Sequence, residues 1–171
     1  KYIRAYEDQT LALPATLYDD YEGREAAAAQ EMEIGNNQHM DIVYDNKMYR
    51  PGANTRLTDL YLSMLSRMDS KDRADYDYFY DSIANRFYAQ NLTGKALTEF
   101  KYQRYMRDYA KVLKSLDDNV GRTLDYLRDA GLLDSTLVVY TSDQGFYMGE
   151  HGWFDKRFMY EESFATPLVM R

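Results

Sequence analysis

Between residues 141 and 156 the chain reads TSDQGFYMGEHGWFDK, and the residue types crowded there could do chemistry. Asp143 and Gln144 offer a carboxylate and a side-chain amide carbonyl, hard oxygen donors of the kind calcium or magnesium takes. Gly145 lets the backbone turn away sharply, so the two side chains can diverge around one ion. Two donors do not complete a calcium site, which wants roughly six to eight oxygens. His151, one of 2 histidines, and Lys156 add an imidazole and an ammonium. Beside a divalent cation they would surround an anion such as sulfate or phosphate and stabilise charge building on a leaving oxygen. Gly149 and Gly152 give the loop freedom to gather these groups. Trp153 and Phe154 could wall the site, stack on a sugar, or only pin the loop to the core. The bland alternative for Asp143-Gln144-Gly145 is a strand-end turn.

The elements that must hold this stretch follow from periodicity. Thr136 to Tyr140 is β-branched and apolar, which suits a strand buried on both faces of a parallel sheet. Before it, Thr98 to Ala130 repeats apolar residues every three or four positions, from Tyr102 through Leu113 and Leu116 to Leu127. This predicts one long helix, with a bend allowed at Gly121 and a left-handed cap at Gly131. Helix, tight turn, buried strand and glycine-rich loop make half of an α/β repeat, and ligands sit beyond the carboxyl ends of such strands. A second strand is expected at about 167–170.

Upstream, Leu57 to Met68 and Tyr76 to Phe87 each predict an amphipathic helix, the second short and ended by Asn91 to Gly94. Residues 35–53 hold Asn36, Asn37, Pro51 and Gly52 and predict a surface loop. Glu22 to Ile34 predicts a short helix that Asp19 and Asp20 could cap. The organisation is therefore a linking segment with a short helix (1–53), a helical part (54–131), and a strand with its site loop (132–171).

Composition sets outer limits. The chain has 171 residues with 45% apolar content, enough for one core. A formal charge of −7 argues against a surface that tracks nucleic-acid phosphates. No apolar run reaches the length of a membrane span, and Lys1 to Thr10 is not a signal peptide. With no cysteine, thiol catalysis and thiolate metal sites are excluded. The 18 tyrosines suit half-buried helix faces and core margins, with interfaces or sugar stacking as alternatives. There is no initiator methionine and Pro167 to Arg171 reads as a strand cut short, so a piece of something longer is expected.

The order of these residues resembles the sulfatase family, in its iduronate-2-sulfatase-like and choline-sulfatase-like bacterial branch. The block runs from YAKVLKSLDDNVGRTLDYLRDAGLLDS through TSDQGFYMGEHGWFDK to the end, residues 109–171, and LPATLYDDYEGREAAA, residues 13–28, is similar to the segment that precedes it. The resemblance implies an alkaline-phosphatase-like α/β sandwich, here helix-rich with one or two buried parallel strands. It implies that Asp143 and Gln144 match a pair of calcium ligands, that Lys156 contacts the sulfate, and that His151 lines the same pocket. Trp153 is the candidate substrate-binding residue. A sulfated small molecule or glycan is the implied partner, in a periplasmic or secreted setting, while nucleic acid and membrane are not expected. Exposed strand or helix faces leave room for self-association.

The same resemblance exposes a gap. The family's formylglycine nucleophile comes from Cys or Ser two positions before a proline, but Ala12, Tyr49 and Ala165 stand before Pro14, Pro51 and Pro167. This chain therefore has no nucleophile, is expected to be inactive alone, and should bind calcium weakly or not at all. Ala165 also stands where a basic residue is expected in ESFRTP-type relatives. A related phosphodiesterase or phosphonate hydrolase would share the metal pair but use another nucleophile. A non-enzymatic helical interaction module would need neither the strand nor the dense loop.

Overall fold

The computed structural model describes residues 1–171. Its frame is helical: α1 Glu25–Ala28, α2 Thr58–Leu65, α3 Ser70–Gln90 and α4 Gly94–Asp129, then β1 Val139–Thr141, β2 Tyr147–Met148, β3 Phe154–Asp155, α5 Glu161–Phe164 and β4 Leu168–Met170. Asp69 starts α3 by accepting hydrogen bonds from the amides of Lys71 and Asp72, both at 2.9 Å. Asn91, in the left-handed conformation at φ 47°, stops it. The helix expected to be short thus runs a full Ser70–Gln90.

α4 is the spine, and it passes Gly121 without interruption. It ends as the sequence predicts: Gly131 is left-handed at φ 69°, Leu132 N–H donates to Leu127 C=O at 2.8 Å and Gly131 N–H to Arg128 C=O at 3.0 Å. Along residues 101–111 this helix holds its neighbours by side chains. Tyr102 donates to the Ala12 carbonyl (2.6 Å), Tyr105 to that of Tyr147 (3.0 Å), and Gln103 pairs with both backbone groups of Leu11. Arg104, 2% exposed, lies between Glu7 (2.5 Å) and Asp108 (2.8 Å), with Lys111 bonded to the same two carboxylates.

Two expectations about the loops are corrected. The predicted helix from Glu22 to Ile34 shrinks to Glu25–Ala28, and no side chain caps it. Left-handed backbone at Tyr21 and Gly23 closes its start. Its far end is drawn straight because Ile34 N–H donates to Gly152 C=O (2.8 Å) and Phe154 N–H to Met32 C=O (3.0 Å). Residues 35–53 are not a surface loop either, since Met40, Val43 and Met48 are fully buried. Buried Asp41 organises this turn, accepting from the amides of Val43 and Tyr44 and the Thr55 hydroxyl, all at 2.9 Å. Lys101, also buried, donates to the carbonyls of Met40 (2.7 Å) and Asn36 (3.3 Å). Polar turn formers supplied the internal bonds that let the segment go inside.

The α/β class holds, but the strands differ from expectation. β1 pairs antiparallel with β4, Tyr140 opposite Val169, and all three residues of each strand are exposed. The apolar run from Thr136 has a buried-strand composition, yet nothing in this chain covers it. One side of β1 and β4 and the later half of α4 enclose an open cavity of about 470 Å³, lined by Leu113, Leu116, Val120, Val138, Tyr140 and Val169.

Candidate active site

The loop leaves the carboxyl end of β1 as the pattern predicts, and Gly145 fixes its course. Its amide donates to the Ser163 carbonyl at 2.8 Å. A Cβ at position 145 would stand 2.0 Å from the Glu162 carbonyl oxygen, so only glycine lets the loop lie this close to α5. From the other side, the Ser163 hydroxyl donates to the Lys156 carbonyl at 3.0 Å, and the Glu162 carboxylate comes within 3.6 Å of His151 Nε2. The short α5 segment is thus the hub where the turn after Asp143 and Gln144, the His151 ring and the Lys156 backbone meet.

The individual side chains differ in freedom. Asp143 is exposed and Gln144 half-buried, with the turn closed by the Ser142 hydroxyl on the Gln144 carbonyl (2.8 Å). Lys156 is exposed, and its neighbour Arg157 takes the nearby Asp155 carboxylate (3.2 Å), leaving the Lys156 ammonium out of that pair. No hydrogen bond joins the side chains of Asp143 or Gln144 to those of His151 or Lys156. Both metal candidates are hard oxygen donors, which fits a calcium-like cation in kind. They fall short in number, because no group of three or more His, Cys, Asp or Glu side chains suited to a metal forms in the chain.

His151 is the most constrained group of the loop. Its backbone is left-handed at φ 57°, as are Asp155 at φ 75° and Phe158 at φ 74°, a clustering of sparsely populated conformations that surrounding contacts must hold in place. Those contacts come from the linking segment. Its amide donates to the Thr16 hydroxyl (3.0 Å), the Tyr21 hydroxyl donates to its carbonyl (2.5 Å), and its Nδ1 lies 2.7 Å from Asp19 Oδ2. Asp19 also takes the guanidinium of Arg24, which above all holds its carboxyl well below the usual carboxylate range. The role expected of Asp19, a helix cap, is therefore corrected. The local spacing of Asp19 and Arg24 hints at their pairing, but nothing in the sequence announces a partner at position 151.

Trp153 turns inward. It is 0% exposed, stacked on Tyr21 (5.4 Å between centroids) and edge-on to Tyr147 (5.3 Å) and Phe158 (5.5 Å). No face of the indole is left for a sugar ring, so of its expected roles the pinning of the loop is the one this geometry provides. Gly149 supports the same packing: it is left-handed at φ 103°, and a Cβ there would meet Tyr102 at 2.6 Å.

Oxygen donors, a fixed imidazole and an exposed ammonium thus lie along one loop after β1, on an α/β frame. The Sulfatase family model matches residues 14–171, nearly the whole chain, and the chain belongs to the sulfatase family. Over its full length it is 42% identical to N-acetylglucosamine-6-O-sulfatase of Bacteroides thetaiotaomicron, of which it spans 31%. It is 37% identical to choline-sulfatase of Rhizobium meliloti over 75 residues, 43% of this chain and 14% of that one. The solved structure of BT4656 in complex with its substrate D-glucosamine-2-N,6-O-disulfate superposes with a TM-score of 0.90 at 42% identity, over 99% of this chain and 34% of that one. The chain thus spans about a third of the length of the relatives it matches from end to end.

Proposed function

We propose that this chain is the part of a longer sulfatase that supplies Asp143 and Gln144 to a calcium site and His151 and Lys156 to the pocket for a sulfate ester. The observation that supports it most is the convergence on α5, where the Gly145 amide, the His151 ring and the Lys156 carbonyl are held by Ser163 and Glu162 within one short segment. A calcium ion held there would polarise the ester oxygens as a Lewis acid. Lys156, free of ion pairs with Asp155, places a three-donor cation where negative charge builds on the sulfate. His151 presents a nitrogen of fixed direction to the same anion. The nucleophile, and the remaining metal ligands, come from polypeptide outside these residues, and the chain by itself is inactive.

The substrate class that fits is a sulfated sugar, by extension from a relative whose solved complex holds D-glucosamine-2-N,6-O-disulfate. The same reading assigns the uncovered apolar side of β1, β4 and the later half of α4 to further polypeptide of the longer protein. In isolation that side is where copies of the chain would self-associate.

Paired variants of the longer protein test the site. Asp143→Ala is expected to abolish sulfate-ester turnover with loss of the ion. Lys156→Ala is expected to keep calcium bound and slow turnover roughly 10²–10³-fold, as removal of one oxyanion donor does. The 171-residue chain should turn over no aryl sulfate and bind calcium in calorimetry no tighter than the millimolar range of ligand-poor sites. Full activity in the Asp143→Ala protein, or submicromolar calcium binding by the chain alone, would show the site to be misplaced.

A further inference from the structure

We infer that Asp19 is a positioning residue for His151: it holds the imidazole by Nδ1 and so makes Nε2 the nitrogen that meets the substrate's anion. The inference rests on the reading of His151 as part of the sulfate pocket. Three features carry it. The Asp19 Oδ2 to His151 Nδ1 distance of 2.7 Å is a well-formed hydrogen bond, with the aspartate side chain 10% and the histidine side chain 19% exposed. Asp19 is bonded at the same time by the Arg24 guanidinium and the Tyr21 amide (3.0 Å), so it stays ionised and can only accept. Nδ1 must then carry a proton, and Nε2, 3.6 Å from the Glu162 carboxylate, is the nitrogen that takes the second one and donates to an anion as imidazolium.

The second feature is the clamp on the backbone. Thr16 and Tyr21 fix the amide and carbonyl of His151 from the same linking segment, which removes the freedom of the loop to swing the ring away. The third is the direction in which Nε2 looks. Nε2 faces the carboxylate of Glu162, the residue of α5 whose backbone carbonyl abuts Gly145 after Asp143 and Gln144. The ring itself packs edge-on against Tyr160 at 4.8 Å. A carboxylate that orients an imidazole and fixes its protonated nitrogen acts through that imidazole, as outer-shell partners of functional histidines do. Asp20, its neighbour, accepts only from the Glu22 amide (2.9 Å) and has no such part.

Ring nitrogen resonances of histidine-labelled chain read the proton's place directly, with His39→Gln removing the second imidazole. The expected result is a protonated Nδ1 for His151, and mixed protonation in Asp19→Ala. A bare Nδ1 in the unsubstituted chain overturns the inference, and that measurement needs no variant to fold. In the longer protein, Asp19→Ala and Asp19→Asn are expected to lower kcat about 10–100-fold with KM nearly unchanged, and to add nothing to the loss caused by His151→Ala. An equal further loss in the His151→Ala background reduces Asp19 to a merely structural residue and overturns it. Full activity of His151→Ala overturns the reading of the pocket, and with it any part of Asp19 in turnover, whatever the resonances show.

Discussion

The two halves of α4 carry the same three-four apolar repeat and meet opposite fates. Along residues 101–111 the helix is dressed on both sides, with Lys101 and Tyr102 buried and Arg104 enclosed by carboxylates. Beyond it Leu113 and Leu116 are each 43% exposed, facing an open cavity shared with Val138 and Val169. The repeat reports that a face is apolar; it says nothing of whether the covering partner lies in the same stretch of chain. What distinguishes the first half is the returning segment 7–18, bonded to Gln103 and Tyr102, and the hairpin β2–β3, bonded through Tyr105. His151 and Trp153 belong to the dressed side, because they are fastened to elements that the first half supports.

If the two regions differ as described, the largest effect should come from the dressed side. Trp153→Ala is expected to destabilise the chain by about 3–5 kcal/mol, the cost of removing a fully buried large aromatic, and to release the loop around His151. Denaturant unfolding followed by far-ultraviolet circular dichroism checks it; a loss under about 1 kcal/mol, an ordinary mutational effect, would break the comparison. A smaller effect follows acid. Burial pushes the Glu7 and Asp108 carboxyls up, but Arg104 and Lys111 around both, with Lys47 on Asp108, outweigh it and hold them below their ordinary values. With folded values depressed, their stabilisation is complete above about pH 4, near the ordinary carboxylate values, and is lost as pH falls further. The thermal midpoint should therefore drop below that point, and drop less in Glu7→Gln; equal slopes would show that the network does not carry it. The smallest effect on stability belongs to the bare side. Val169→Lys should change unfolding by no more than about 0.5 kcal/mol, as exposed substitutions do, while reducing self-association in sedimentation. A large destabilisation there would mean the strand is covered after all.

Much of the frame was legible because it depends on local rules. Gly131 caps α4 as its position after the repeat implies, and Asn91 ends α3 within the predicted stop. The placement of the site loop after β1 was legible for the same reason: a β-branched run followed by glycine-rich polar residues leaves few alternatives. What failed were judgements that needed a distant partner. Residues 32–34 looked helical until the hairpin at 152–154 recruited their backbone, and residues 35–53 looked superficial until Asp41 and Lys101 satisfied their polar groups inside. Burial of β1 was a fair inference from composition, and its exposure follows from the absence of a covering layer in this chain. Asp143, Gln144, His151 and Lys156 could be singled out as candidates from type and spacing. Asp19 could not, because its contact with His151 spans 132 positions.

Trp153 also makes the loop readable by light. It is the chain's 1 tryptophan, has no exposed surface, and its Nε1 has no hydrogen-bond partner, so its emission should be blue-shifted as from an apolar solvent. Its ring lies 5.5 Å from the His151 imidazole and from the Tyr160 phenol ring, and 5.4 Å from Tyr21. Short-range quenching by an imidazolium and energy transfer from neighbouring tyrosines therefore both converge on a single fluorophore beside the pocket. No label has to be introduced, and the tryptophan signal reports on the loop that holds His151 and Lys156.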